Sequence, residues 1–357
     1  MAMQTTGSVR FFLGANSKNG FASLYDNFIS PADGDFLWVI KGGPGCGKST
    51  FMKRIGADAE DAGLRVEYIL CSGDPDSLDG VYFPEKRVAY VDGTAPHVIE
   101  AVYPGAASLY LDLGRFLDAG ALAPQLSEIA DLNRRYKALY VDAYALLSAG
   151  AALLPKHLPG LWGTSELARL DKKLAGLAAR ELPKQRKAGT LKKRFLSARS
   201  CKGHLRLDET LAALCPKIFA LDNALGLAHP FLSRLADIAL ARGYDVILCP
   251  DPLEPESIEA LLLPEAGLGF LATDRNFSTA EVYRHLRLDA AVPLSGETKA
   301  LLRQRRRESV ILLSAAEASL ARAKALHDEL EAVYRPHVNF VGLDTLTEEH
   351  VSRLLEG

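Results

Sequence analysis

The chain has 357 residues, 48% hydrophobic and 24% charged, with 42 Lys and Arg against 44 Asp and Glu. That is the composition of a soluble globular chain of about two domains, long enough to bury a core without staples. A net charge of −2 gives no case for a nucleic-acid or membrane surface over the whole protein, and five cysteines without a CxxC pair argue against a disulfide framework or a zinc site.

The opening MAMQTTGSVRFF holds no apolar run of signal-peptide length, so a cytoplasmic location with reduced thiols is expected. FLWVIK (36–41) is a short apolar run ending in glycines and reads as a buried strand. A helix follows from near Ser49, with Phe51, Ile55 and Ala59 at spacing four, and stops at Gly63. RVEYILC (65–71) and RVAYVD (87–92) read as further strands and DPDSLDG (74–80) as a turn. From about 108 to 182 the pattern is helical, with a Pro/Gly break at 155–163. Its most apolar run, Ala143–Leu154, is too short to span a membrane and reads as a buried helix. Alternating strands and helices predict parallel pairing with right-handed crossovers.

The chain repeats itself. At an offset of 180, Phe51/Phe231, Arg54/Arg234, Ala59/Ala239, Gly63/Gly243, Val66/Val246 and Pro84/Pro264 coincide without a gap. At an offset of 183, RFFLGANSKNGF matches KRFLSARSCKGH, and the three-residue difference falls in a connecting loop. Residues 296–334 repeat the helical character of 108–182. The expectation is two α/β units, 1–190 and 191–357, each with a helical appendage (about 108–182 and about 280–335).

GGPGCGKS (42–49) fits G-x-x-x-x-G-K-[ST], with a strand before it and a helix after it, as that motif requires. Gly42, Gly45 and Gly47 allow backbone angles and close approach that side chains forbid. Gly42, Gly43, Pro44, Gly45, Cys46, Gly47, Lys48, Ser49 and Thr50 form the candidate binding loop, with N–H groups aimed at phosphate from a helix N-terminus. Lys48 is expected on the β- and γ-phosphates and the Ser49 hydroxyl on Mg2+. Asp92 ends an apolar strand, where an acid either steadies the Mg2+ shell or closes a strand-to-turn junction. Cys46 is either a small filler or, because a helix N-terminus lowers a thiol pKa, a redox sensor.

Residues 36–97 resemble the P-loop NTPase superfamily. GGPGCGKST and DGTAPH are similar to the loop and the DG-x-P-R turn of adenylate-kinase-like nucleotide kinases, with His97 where those kinases have Arg. Over nearly its full length, with its duplication, GANSKNGF and VDGTAPH, the chain resembles a bacterial family of tandem-duplicated P-loop ATPases. That resemblance implies an α/β fold of two tandem P-loop NTPase-like parallel-sheet units, each with a helical appendage, and ATP as the nucleotide.

The second half is an internal control. At offset 180, Ala228 replaces Lys48, His229 replaces Ser49, Pro230 replaces Thr50, Ala272 replaces Asp92, and Leu225 and Leu227 replace Gly45 and Gly47. Joint loss of charge, metal groups and backbone freedom predicts a half that keeps the fold and binds no Mg-ATP. Asp74, Asp76 and Asp79 fall on Glu254, Glu256 and Glu259; acids that persist without a phosphate site read as structural or capping. His97 falls on Phe277 and reads as a nucleotide-sensing or water-orienting group, or as a surface histidine in a turn. Gly93 follows Asp92 where a hydrolytic Glu would stand, so slow turnover is expected. The basic runs 182–207 and 303–307 read as solvated faces, as nucleic-acid contacts, or as the source of an arginine for the γ-phosphate.

The expected activity is ATP hydrolysis, with Lys48, Asp92 and His97 as catalytic candidates, Ser49 and Asp92 as metal ligands, and ATP and Mg2+ as cofactors. The alternatives are phosphotransfer to a small-molecule acceptor and non-catalytic nucleotide sensing or nucleic-acid binding. A nucleoside triphosphate and either a protein partner or a small acceptor are the expected partners, nucleic acid is less favoured, and no membrane is expected.

Overall fold

The computed structural model describes residues 7–273 and 282–356. The first half opens with β1 (Val9–Phe12), a separate hairpin of β2 (Gly14–Ser17) and β3 (Gly20–Ser23), and β4 (Phe36–Lys41), which leads into α1 (Lys48–Asp61). It continues with β5 (Glu67–Leu70), β6 (Leu78–Phe83), β7 (Val88–Asp92) and β8 (Ser108–Asp112), in the spatial order β1-β5-β6-β7-β4-β8, the hairpin standing apart. β4 is buried from Leu37 to Ile40 because neighbours cover both its faces, which is why its sequence is a continuous apolar run. α1 buries Phe51, Met52, Ile55 and Ala59 along one stripe, and Gly63, at φ +81°, closes it by donating to the Glu60 carbonyl.

The pairing is not all parallel. β1–β5, β4–β7 and β4–β8 are parallel, but β6 runs antiparallel to both β5 and β7. The expected turn at 74–80 is confined to its first four residues, where the Ser77 N–H donates to the Asp74 carbonyl, and Leu78 opens the extra strand. Asp79 and Gly80 disfavour a strand in isolation; pairing on both sides overrides that preference. The helical pattern likewise begins after 112, because Ser108–Asp112 is an edge strand.

Helices α2 (Ala119–Leu122), α3 (Leu126–Ala152) and α4 (Thr164–Glu181) follow. The plan then repeats as β9 (Leu191–Lys193), hairpin strands β10 (Ser197–Ser200) and β11 (Gly203–Arg206), α5 (Asp208–Leu214), β12 (Lys217–Asp222) and α6 (Ala228–Ala241). β13 (Val246–Pro250), β14 (Ile258–Leu263), β15 (Leu268–Thr273) and β16 (Arg284–Leu286) complete a sheet ordered β16-β12-β15-β14-β13-β9, and α7 (Gly296–Tyr334) and α8 (Phe340–Glu356) end the fold. Counterpart strands pair with counterpart strands in the same sense, so the duplication seen in the residues is a duplication of topology.

The halves meet through counterparts. Phe12 and Phe195 each donate their N–H to the other's carbonyl, at 3.0 and 2.9 Å. Lys18 donates to the Leu253 carbonyl at 2.9 Å and its counterpart Cys201 to that of Gly73 at 3.2 Å. α3 and α7 lie antiparallel, tied by Ser309 Oγ to the Gly150 carbonyl (2.7 Å) and Ser319 Oγ to the Leu139 carbonyl (3.0 Å), with Ala143, Leu147 and Ala151 of the apolar run buried. These reciprocal contacts describe a pseudo-two-fold arrangement.

The terminal helices cross over. Leu170, Leu174 and Leu177 of α4, which follows the first sheet in sequence, pack with Phe231 and Leu235 of α6 in the second half. Leu343, Leu346 and Leu354 of α8 pack with Phe51 and Ile55 of α1 in the first. Each buried leucine contributes about 1.5–3 kcal/mol, so the exchange fastens the halves strongly.

The basic run 182–207 is largely consumed inside the fold. Lys187 pairs with Asp245 and Glu265, Lys192 and Arg194 with Glu67, Arg199 with Glu317, Lys202 with Asp76, and Arg206 with Asp208. Arg194 is fully buried and also donates to the carbonyls of Asn27 and Phe28, so it clamps the first half from the second. All five cysteines are unpaired thiols, and no helix among the described residues is long and apolar enough to cross a membrane.

Candidate functional site

The loop joining β4 to α1 needs its glycines. Gly45 (φ +67°) and Gly47 (φ +88°) sit in the left-handed region, and a Cβ on Gly42 would meet Cys46 Sγ at 2.5 Å. The N–H groups of Gly45 and Gly47 donate to no oxygen among the described residues, which leaves donors free at the N-terminus of α1. Lys48, the first residue of α1, donates to the carbonyls of Gly42 (2.9 Å) and Gly43 (3.0 Å) and lies 3.7 Å from Asp92 Oδ2. Ser49 Oγ accepts from the Leu78 N–H at 2.9 Å, which anchors the helix start to the extra strand and leaves the hydroxyl proton and a lone pair. Pro44 is half-buried and Thr50 is exposed.

Asp92 stands beside Ile40 in the β4–β7 ladder, at the strand ends from which the loop leaves. Its Oδ1 accepts from the Thr94 N–H (2.9 Å) and Oγ (2.6 Å), so it both closes the strand-to-turn junction and directs Oδ2 to Lys48. Lys41 fastens the following turn by donating to the carbonyls of Gly93 and Ile99.

His97 is not a surface histidine. Its side chain is 6% exposed, lies against the rings of Phe21 and Tyr25, and places Nε2 3.2 Å from Asp79 Oδ2. Burial opposes its charge, but the Asp79 carboxylate, and then Asp92, hold its pKa above the ordinary 6.5. Asp79, which also accepts from the Tyr25 hydroxyl at 2.9 Å, thus fixes the histidine, while Asp74 shapes its turn by accepting from Ser77 Oγ. Phe277, the counterpart of His97, lies outside the described residues. Cys46 is a filler: it is buried, and burial raises its thiol pKa by more than the neighbouring Lys48 lowers it.

Sequence reasoning missed what covers the loop. A Cβ on Gly45 would stand 3.0 Å from the Glu331 carbonyl, one on Gly43 3.5 Å from the Tyr334 ring, and one on Gly47 2.5 Å from Leu343. The α7–α8 segment of the second half therefore packs directly on the loop. The run 303–307 is at the other end of α7. Arg305 caps α3 through the Ala152 carbonyl and is 26 residues of helix from Glu331, about 39 Å at 1.5 Å per residue. It supplies no arginine to Lys48.

The second half's loop differs by more than substitution. Strand register sets Ile40 opposite Asp92 and Leu221 opposite Ala272, so β12 matches β4 at an offset of 181, whereas α6 matches α1 at 180. The second loop is one residue shorter. Gly226 (φ +76°) keeps the left-handed place of Gly45, which corrects the pairing of Gly45 with Leu225, and Leu227 alone spans the place of Cys46 and Gly47. Lys156, from the first half's arm, packs its Cβ 2.8 Å from where Gly226 would carry one and reaches Glu254, which is also bonded to Lys18 (3.0 Å) and His157 (2.6 Å).

No protein-family model, curated protein or solved structure matches the chain.

Proposed function

We propose that the first half binds Mg-ATP at residues 42–49 and hydrolyses it slowly, and that the second half binds none. The observation that carries the reading is the left-handed Gly45–Gly47 turn. It leaves two unpaired N–H groups at the N-terminus of α1, with Lys48 Nζ 3.7 Å from Asp92. Free donors, a positive helix end and an ammonium group together suit a polyphosphate. The donor set also suits magnesium: Ser49 Oγ and Asp92 Oδ2 are hard oxygens that would hold it, and the ion would offset phosphate charge.

Lys48 would exchange the Gly42 and Gly43 carbonyls for phosphate oxygens. Asp92 positions it through the ion pair, and Thr94 and Lys41 hold the Asp92 turn in place. His97, enclosed by Phe21 and Tyr25 with Nε2 3.2 Å from Asp79, is held behind the site by that carboxylate, which favours its protonated form. Among the described residues Asp92 is the one carboxylate within 4.0 Å of Lys48, and Thr94 engages its other oxygen; the acid of the opposite arm that packs on the loop is Glu331. Because α7 and α8 pack on the loop, ordering it around phosphate would be felt by the opposite arm, giving a protein partner or acceptor a surface to read.

The test is Mg-ATP binding stoichiometry with phosphate release, wild type beside Lys48→Ala. One site per chain, with binding and turnover both lost in the variant, is expected. Two sites, or undiminished binding by the variant, would overturn the reading. One Lys48-dependent site without phosphate release would replace hydrolysis by sensing or by transfer to an acceptor.

A further inference from the structure

A second concavity lies on the other half, away from the 42–49 loop. It has a volume of about 470 Å³, with α4 on one side and β16 with the residues after it on the other. Its walls carry Lys172, Lys173, Arg180, Arg284, His285 and Arg287, and no acidic residue lines it among the described residues. Its floor is apolar, formed by Leu177, Phe231, Leu286 and Leu288. The walls are tied together: Lys173 Nζ donates to the Arg287 carbonyl at 2.8 Å and Arg169 to that of Ala291 at 3.0 Å.

Among the described residues most of this charge has no ion-pair partner. Lys172, Arg180, Arg284 and Arg287 make no ion pair with any described residue, in contrast to the paired cations of 182–207. The fold does not require it either. In the first half, ladder register places Leu109 and Tyr110 where Arg284 and His285 stand, and α8, the counterpart of α4, carries Glu348, Glu349 and Glu356. Like charges gathered around one cavity repel each other unless a ligand neutralises them.

We propose that this cavity binds a phosphorylated small molecule carrying at least two negative charges. The volume falls within the range of small-ligand sites, roughly 300–1,000 Å³. Five permanent cations exceed what one monoanion neutralises, and the guanidinium groups suit phosphate oxygens. The apolar floor accepts a ring or carbon skeleton. A nucleic-acid strand is disfavoured because the cations close around one cavity rather than forming a track along the surface. The proposal does not depend on nucleotide binding in the first half.

The experiment uses the full chain with Lys48→Ala, so that the 42–49 loop does not compete, and inorganic tripolyphosphate as the probe in titration calorimetry. One tripolyphosphate per chain is expected, with affinity falling at least about tenfold when Arg284→Ala and Arg287→Ala are added. Tripolyphosphate should also protect Lys172 from acetylation, read by mass spectrometry without altering the cavity. No binding, equal affinity in the variant, or no protection of Lys172 overturns the proposal. A 12-nucleotide single strand that binds more tightly than tripolyphosphate, and is lost with the same arginines, overturns it in favour of nucleic acid.

Discussion

Lys156 stands to Gly226 as Glu331 stands to Gly45. A Cβ on Gly226 would lie 2.8 Å from Lys156 Cβ, and a Cβ on Gly45 would lie 3.4 Å from that of Glu331, both glycines being left-handed. The opposite arm thus presses on each loop, with an acid on the intact one and a base on the shortened one. Lys156 then reaches Glu254, a 1% exposed carboxylate, and so brings a positive charge to the shortened loop, where Ala228 stands at the position of Lys48.

Removing Lys156 should therefore destabilise the fold. Burial alone would raise the Glu254 pKa; Lys156 first, with Lys18 and His157, holds it below the ordinary 4.5. Lys156→Ala is expected to cost about 1–3 kcal/mol, less than loss of a sole partner, because two cations remain. A depressed carboxylate contributes stability above pH 4.5 and loses it as pH falls through the native value, so the cost should be clear at pH 7 and smaller at pH 3. Urea denaturation at both values checks this.

Restoring the lysine should not restore a site. Ala228→Lys leaves a loop one residue short and Lys156 in place. Equilibrium dialysis with Mg-ATP should give the same stoichiometry as wild type. A second equivalent bound would show that the shortened loop still cradles phosphate.

Gly45→Ala should weaken nucleotide binding more than it weakens the fold. The new methyl faces a φ of +67° and the Glu331 carbonyl at 3.0 Å, so loop and arm must part. A fall of at least about tenfold in Mg-ATP affinity is expected, with a stability loss of about 1–3 kcal/mol. Faster amide hydrogen exchange at 327–334 would report the loosened arm.

Arg194→Leu should be among the most damaging single changes. It leaves Glu67 buried with only the half-exposed Lys192, and a cost of about 3–5 kcal/mol is expected at pH 7. Burial works against the Glu67 charge, but Arg194 and then Lys192 bring its pKa down to about 2. That stabilisation is full above pH 4.5 and disappears as pH falls toward 2, so the wild-type advantage should shrink between those values. A constant difference from pH 7 to pH 3 would contradict the assignment.

Glu259→Gln should have the opposite sign. Burial, then the Asp251 charge, pushes the Glu259 pKa up to about 8, while Ser197 Oγ donates to it at 2.7 Å. A raised carboxyl favours the fold most below pH 4.5 and costs stability increasingly as pH rises to 8. The neutral amide keeps an acceptor for Ser197, so the variant should be more stable than wild type at pH 9, by on the order of 1–3 kcal/mol, and nearly equal to it at pH 5. Thermal melts at the two pH values decide it.

The sequence by itself determined the strand β4, the helix α1, the long helix 296–334, the duplication and the glycines of the 42–49 loop. Each rests on local physics: an apolar run buried on both faces, a period of 3.6, or a backbone angle that only glycine adopts without strain. The strand β6 was hidden because its Asp79–Gly80 centre has no strand preference, and its two neighbours in the sheet impose the pairing. Only the tertiary structure decided that α4 and α8 exchange sheets, that His97 is enclosed with Asp79, and that Arg194 is buried on Glu67. It also decided that the basic residues gather not on the run richest in lysine and arginine but around a cavity whose two walls lie more than a hundred residues apart in sequence. Those features come from side chains brought together by chain closure, and burial and charge at such a distance leave no periodic mark in the sequence.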